Sequence, residues 1–90
     1  MYKIEYHGQV FKDLDKIPND VVEKIAKIIK QLSVNPFPWN YKKLSGKLNA
    51  YRIKVGDYRI IYIVIQGEKQ IKIIRVRYRK DVYRDLKILS

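Results

Sequence analysis

The chain has no cysteine, which removes both a disulfide framework and any thiolate metal site. It has one histidine, His7, in a stretch that reads as a first strand, where a structural or exposed role is the simpler reading and no His–Glu ribonuclease pair can be assembled around it. Acidic side chains are scarce, 9 against 20 Lys and Arg, for a net charge of +11. Asp13 with Asp15, and Asp81 with Asp85, lie at i, i+2 and i, i+4; with no ligand cluster around them they read as solvated charges or partners for nearby cations. No metal and no cofactor is therefore expected. No apolar run nears the roughly 18 residues of a membrane span, and "MYKIEYHGQV" carries no apolar run of signal length, so the expected location is the cytoplasm, away from any membrane. A glycine-rich phosphate loop is also missing.

What the chain does have is enough apolar residue for a core. Hydrophobic residues make up 47% and charged residues 32% of 90 positions, the balance of a folded domain rather than a disordered segment, and residues 1–90 are read as one domain. The cationic excess favours a polyanionic partner such as nucleic acid, or an acidic protein.

Apolar periodicity places the elements. Residues 2–7 alternate as a short strand with Tyr2, Ile4 and Tyr6 on one face. Val10, Leu14 and Ile17 mark one face of a short helix that ends before Pro18. A second helix is expected from Asp20, with Glu23 completing a capping box and Val22, Ile25, Ile29 and Leu32 as its apolar stripe. Residues 33–49 hold two of the three prolines and read as a loop. Strands follow at about 49–55, 58–66 and 70–77, then a short helical tail from Arg79.

The stretch "YRIKVGDYRIIY" sets the register of the first two of these strands. A two-residue type II′ turn at Gly56-Asp57 puts Lys54 opposite Arg59, a repulsive pairing, and places Arg52, Lys54, Arg59 and Ile61 on one face with Tyr and Ile on the other. For the third strand, a two-residue turn at Gly67-Glu68 would lay Arg75 and Arg77 against the apolar face, where buried cations are costly. A three-residue loop aligns Ile60 with Val76, Tyr62 with Ile74, and Arg59 with Arg77. Arg52, Lys54, Arg59, Arg75 and Arg77 then project from one face of three adjacent strands.

A solvated sheet face is commonly polar, which accounts for any single cation here, but such faces usually mix signs and this one has no acid among its projecting strand residues. Concentrated guanidinium charge on a rigid sheet suits phosphate oxygens. RNA cleavage would further need a base for the ribose 2′-hydroxyl, charge to stabilise the phosphorane, and an acid for the leaving 5′-oxygen. Lys54, between Arg52 and Arg59, is the base candidate, because neighbouring cations favour loss of an ammonium proton. Phe37, Trp39 and Tyr41 could stack on bases, although aromatic residues in a proline-rich loop more often cover a core edge.

"LSGKLNAYRIKVGDYRIIYIV" followed by "IIRVRYRKDVY" resembles the RelE/ParE toxin superfamily of toxin–antitoxin systems, and the resemblance covers essentially the whole chain. It implies an α+β, RelE-like and microbial-ribonuclease-like fold. In that fold an antiparallel sheet, made of the short N-terminal strand and a three-stranded C-terminal meander, carries two N-terminal helices on one face and a short C-terminal helix. For RelE-type members it implies a metal-independent messenger RNA endoribonuclease acting in the ribosomal A site and neutralised by a cognate antitoxin; for ParE-type members, a DNA gyrase inhibitor. A non-catalytic basic RNA-binding domain is the remaining reading. The family's basic pair falls on Arg52 and Lys54, where the first position is commonly lysine, and its next arginine on Arg59. The family's C-terminal tyrosine falls on Tyr83, a rival for the base. The late arginine falls on Arg77 in one alignment and Arg79 in another. The catalytic set implied is Lys54, Arg59, Arg77 and Tyr83, with Arg52, Arg75 and Arg79 binding substrate.

Overall fold

The computed structural model describes residues 1–45 and 49–82. Strand β1 (Lys3–Tyr6) leads into helices α1 (Gly8–Asp15) and α2 (Asn19–Val34), followed by strands β2 (Tyr41–Ser45), β3 (Ala50–Val55), β4 (Tyr58–Ile65) and β5 (Gln70–Tyr78). The strands form one sheet in the order β1-β5-β4-β3-β2. Ile17, Ile25, Ile29 and Leu32 from the helices and the segment joining them pack against Ile53, Ile60, Tyr62, Val64, Ile71, Ile73 and Val76 of the sheet. Both helices therefore share one core on one sheet face, and the expected α+β arrangement holds.

Three details depart from expectation. β1 runs parallel to β5, so the sheet is mixed rather than wholly antiparallel. The two-helix connection between β1 and the rest of the sheet is long enough to allow this, whereas a hairpin could only have produced an antiparallel neighbour. Part of the stretch read as a loop, Tyr41–Ser45, is strand β2, antiparallel to β3. Two prolines upstream hid its alternation. α2 begins at Asn19 without a side-chain cap: Val21 and Val22 donate their N–H groups to the Pro18 carbonyl, and Asp20 lies within the first turn, where its charge complements the helix dipole. The expected capping box at Asp20 is not formed. His7, by contrast, has a clear structural task, its Nδ1 accepting the Gln9 N–H at 3.1 Å to cap α1.

The β3–β4 hairpin has the expected register, Val55 opposite Tyr58 and Lys54 opposite Arg59. Gly56 has φ +59° while Asp57 stays out of the left-handed region, the pattern of a type II′ turn. The β4–β5 connection is different. It has four residues, Gln66 to Lys69, and Ile65 lies opposite Gln70. That even-numbered loop alone would have put Arg75 against the core. Between Ile61 and Tyr62 the register shifts by one, leaving Ile74 as an extra residue on β5. Tyr62 consequently pairs with Ile73 rather than Ile74, while Ile60 pairs with Val76 and Arg59 with Arg77. The bulge keeps Ile71, Ile73 and Val76 all in the core despite their uneven spacing.

The proline-rich segment is held down by aromatic residues. Phe37, Tyr41, Tyr51 and Tyr62 form a chain of ring contacts with centroids 5.1–5.8 Å apart. The buried Tyr62 hydroxyl donates to the Pro36 carbonyl at 2.7 Å. Burial, with Tyr41 and Tyr51 close by, raises the Tyr62 pKa far above the usual phenol value and keeps the ring a neutral donor. Phe37 and Tyr41 thus cover a core edge; Trp39 does not and is 96% exposed. The expected C-terminal helix starts as a 3-10 turn over Arg79–Asp81; its remainder lies outside the described residues.

Candidate nucleic-acid interface

On the sheet face away from the two helices, directly paired residues line up in rows. One row runs Lys54, Arg59, Arg77 across β3, β4 and β5. The next runs Lys42, Arg52, Ile61, Arg75 across β2 to β5. Residues paired directly across a ladder project from the same face, so these rows assemble six cations around one isoleucine. Ile61 is fully buried yet lies outside the core cluster, as does Val82 at 5% exposure. Lys42 escaped the sequence reading because its strand did; "YKKLS" directly before Gly46 is the only local sign of it.

The Arg59 Nη1 donates to the carbonyls of Gly56 at 3.0 Å and Tyr58 at 2.9 Å, which anchors the guanidinium to the turn. The same turn captures the end of β5, with the Arg79 backbone N–H donating to the Asp57 carbonyl at 2.8 Å. Arg79 is thereby folded back over the sheet instead of continuing the strand line. Arg52, Arg59 and Arg79, with Leu44 and Val82, line one hollow of about 100 Å³. Three guanidinium groups on so small a concavity form a fork-lined seat for a phosphate. Lys54 is exposed beside it, on the same row as Arg59.

Arg75 and Arg77 sit differently. Arg75 grips Asp13 of α1 in a two-point fork, Nε to Oδ2 and Nη2 to Oδ1, both at 2.9 Å. Asp13 also accepts the Val76 N–H at 3.0 Å, on the edge of β5 that β1 no longer covers. Burial works against the charged form of Asp13. The fork from Arg75, the Val76 N–H and the charges of Arg75 and Arg77 outweigh it and hold the carboxyl below the usual carboxylate range. Arg77 is opposite Arg59 on the ladder but lines a second hollow, against α1, together with Arg75 and Asp13. Tyr83 lies outside the described residues. The fold thus brings Arg52, Arg59 and Arg79 together, keeps Lys54 adjacent, and turns Arg75 to a partner on α1.

The chain matches the family described as the ParE toxin of type II toxin–antitoxin system, parDE, over residues 4–83. It is 35% identical over 85 residues to toxin RelE3 of Methanocaldococcus jannaschii, a match covering 90% of this chain and 94% of that protein. The toxin chain in the archaeal RelE–RelB complex from Pyrococcus horikoshii is 34% identical with a TM-score of 0.77, covering 87% of this chain and 94% of that one. The isolated Escherichia coli RelE toxin is 25% identical with a TM-score of 0.75, and the match covers 100% of both chains.

Proposed function

Because the chain belongs to the RelE/ParE superfamily of type II toxin–antitoxin toxins, we propose that it is an RNA endonuclease of the RelE kind, cutting messenger RNA on the ribosome without a metal. The observation that carries this reading is the seating of Arg52, Arg59 and Arg79 on one hollow, with Lys54 directly across the ladder from Arg59.

In the proposed reaction a base removes the 2′-hydroxyl proton, the oxygen attacks the adjacent phosphorus, and the 5′-oxygen departs with a proton from an acid. The products are a 2′,3′-cyclic phosphate and a free 5′-hydroxyl. Lys54 is the base candidate, with Tyr83 its rival. Arg52 and Arg59 hold the phosphate and the charge that builds on it, a contribution of about a hundredfold or more per well-aimed donor. Its place in the same hollow supports Arg79 over Arg77 as the third of these arginines. The cationic surface then docks on ribosomal RNA, and a cognate antitoxin covers it; the related toxin from Pyrococcus horikoshii named above is in complex with RelB.

Wild type is expected to cut message in a translation-coupled assay, and Lys54→Ala or Arg59→Ala to lose this by about a hundredfold or more with unchanged melting. Equal cutting by folded variants would sink the assignment. A second reading, inhibition of DNA gyrase, is favoured by the ParE name of the matching family. Inhibition in a supercoiling assay, with no message cleavage, would replace the first reading with the second.

A further inference from the structure

Up to Ile73, strand β5 is flanked on both sides, by β4 and by β1, whose last pair is Tyr6 with Ile73. From Ile74 onward β4 continues beside it and β1 does not, and Ile74 is itself the extra residue of the bulge. A bulge on a strand held along one edge can migrate, since moving the extra residue along the strand leaves most ladder bonds in place. The chemical consequence here is large. Were Arg77 the extra residue, Arg75 would lie opposite Ile60 in the core and Val76 opposite Arg59 on the cationic face. Burial of Val76, a single valine, opposes that shift. Asp13 of α1 opposes it with three hydrogen bonds. Its Oδ2 accepts the Arg75 Nε at 2.9 Å and the Val76 N–H at 3.0 Å, while its Oδ1 accepts the Arg75 Nη2 at 2.9 Å. Successive N–H groups of a strand point to opposite edges, so a slip of one residue would turn the Val76 N–H away from the carboxylate. Asp13 therefore recognises one register.

We infer that Asp13 is a positioning residue for the arginine hollow: its clamp on Arg75 and the Val76 N–H locks the β5 bulge at Ile74, and so fixes Arg77 opposite Arg59 and Arg79 over the hollow. The inference rests on the nuclease reading above, and it assigns Arg75 to the clamp rather than to the substrate. Arg77 follows Val76 directly, and Arg79 is held by its own N–H on the Asp57 carbonyl at 2.8 Å. The segment from Val76 to Arg79 is thus pinned once from α1 and once from the β3–β4 turn. Release of the first pin lets it pivot on the second. A displacement of about 1 Å in a group that holds the reacting phosphate can cost about a hundredfold in rate.

The test compares wild type with Asp13→Ala, Arg75→Ala, the double variant and Asp13→Asn, each checked by its melt. Two quantities are read: cross-strand NOEs in the free protein, and the rate of translation-coupled cleavage at saturating toxin. Wild type should show the Arg59–Arg77 and Ile60–Val76 contacts. Asp13→Ala and Arg75→Ala should lose them and cut about tenfold or more slowly at saturation, with the half-saturating concentration changed by less than about twofold. The double variant should be no slower than either single one, as for two residues that act as one unit. Asp13→Asn keeps an oxygen for the Val76 N–H without a charge for the fork, so it should fall between, and it decides the matter if an alanine variant does not fold. If Arg75→Ala instead raises the half-saturating concentration while Asp13→Ala does not, Arg75 binds substrate and the lock is wrong. Folded variants that keep both the NOEs and the saturating rate also overturn it, with the nuclease reading intact. If wild type cuts no message, the nuclease reading fails, and the NOEs alone decide whether Asp13 sets the register.

Discussion

Asp13 carries more than a surface aspartate would. It satisfies an edge N–H of β5, forks Arg75, and is buried, so it joins α1 to the sheet at one point. Its folded pKa lies below that of an unfolded aspartate, near 4. The stabilisation is therefore present above about pH 4 and is lost as pH falls through the lower, folded value. Asp13→Asn should cost roughly 2 kcal/mol at neutral pH and flatten the acid limb of the stability curve, as measured by urea unfolding across pH. Gly56 has a role set by backbone alone. An alanine there must adopt a left-handed conformation, so Gly56→Ala should lower stability by about 1 kcal/mol in the same unfolding experiment. Lys54, Arg59 and Arg52 could be named from the hairpin because a two-residue turn leaves a single register. Arg79 could not be separated from Arg77, because its position depends on a hydrogen bond to Asp57 that lies 22 residues away in the chain.

Two elements decide the composition of the cationic face. The β5 bulge was in principle legible: Ile71 and Ile73 keep period two, and the next core residue is Val76, three residues on. With loop length as the only variable, an odd loop is needed to put Arg75 and Arg77 on this side, whereas the chain uses an even loop and then inserts Ile74. β2 was less legible, since five residues with two adjacent lysines carry little alternation of their own and pair only because β3 offers an open edge. Its consequence is Lys42, opposite Arg52. Lys42→Ala should reduce single-stranded RNA affinity uniformly across sequences, with a drop of about one contact in the salt dependence and no change in the position of cleavage.

At the scale of the molecule, charge and packing are separated by the sheet. One face is buried under α1 and α2, while the other gathers Lys42, Arg52, Lys54, Arg59 and Arg77, with Arg79 folded onto it from beyond β5. Among the described residues Asp13 and Arg75 form an ion pair between side chains, and with 20 Lys and Arg against 9 Asp and Glu in the chain most of the cationic charge has no acidic counterpart to neutralise it. RNA binding should be strongly salt-dependent. Six engaged cations on a single strand correspond to a log–log slope of roughly −4, or a loss of about a hundredfold or more between 50 and 200 mM salt. A slope near zero in a titration series would show that the face does not bind through phosphates. At high pH the fold has a second weak point. Tyr62 holds its proton more tightly when folded, so its contribution is present below about pH 10 and is lost as pH rises further.

Local order along the chain settles what depends on neighbouring residues. The two helical stripes, the Gly56-Asp57 turn, the β3–β4 register and the net charge follow from local spacing, backbone freedom and composition. Tertiary structure decided what depends on pairing between distant segments. The parallel seat of β1 beside β5, the recruitment of β2, and the capture of Arg75 by Asp13 each satisfy an edge group or charge that no local pattern describes. That Arg79 joins Arg52 and Arg59 over one hollow depends on a backbone hydrogen bond between the end of β5 and the turn.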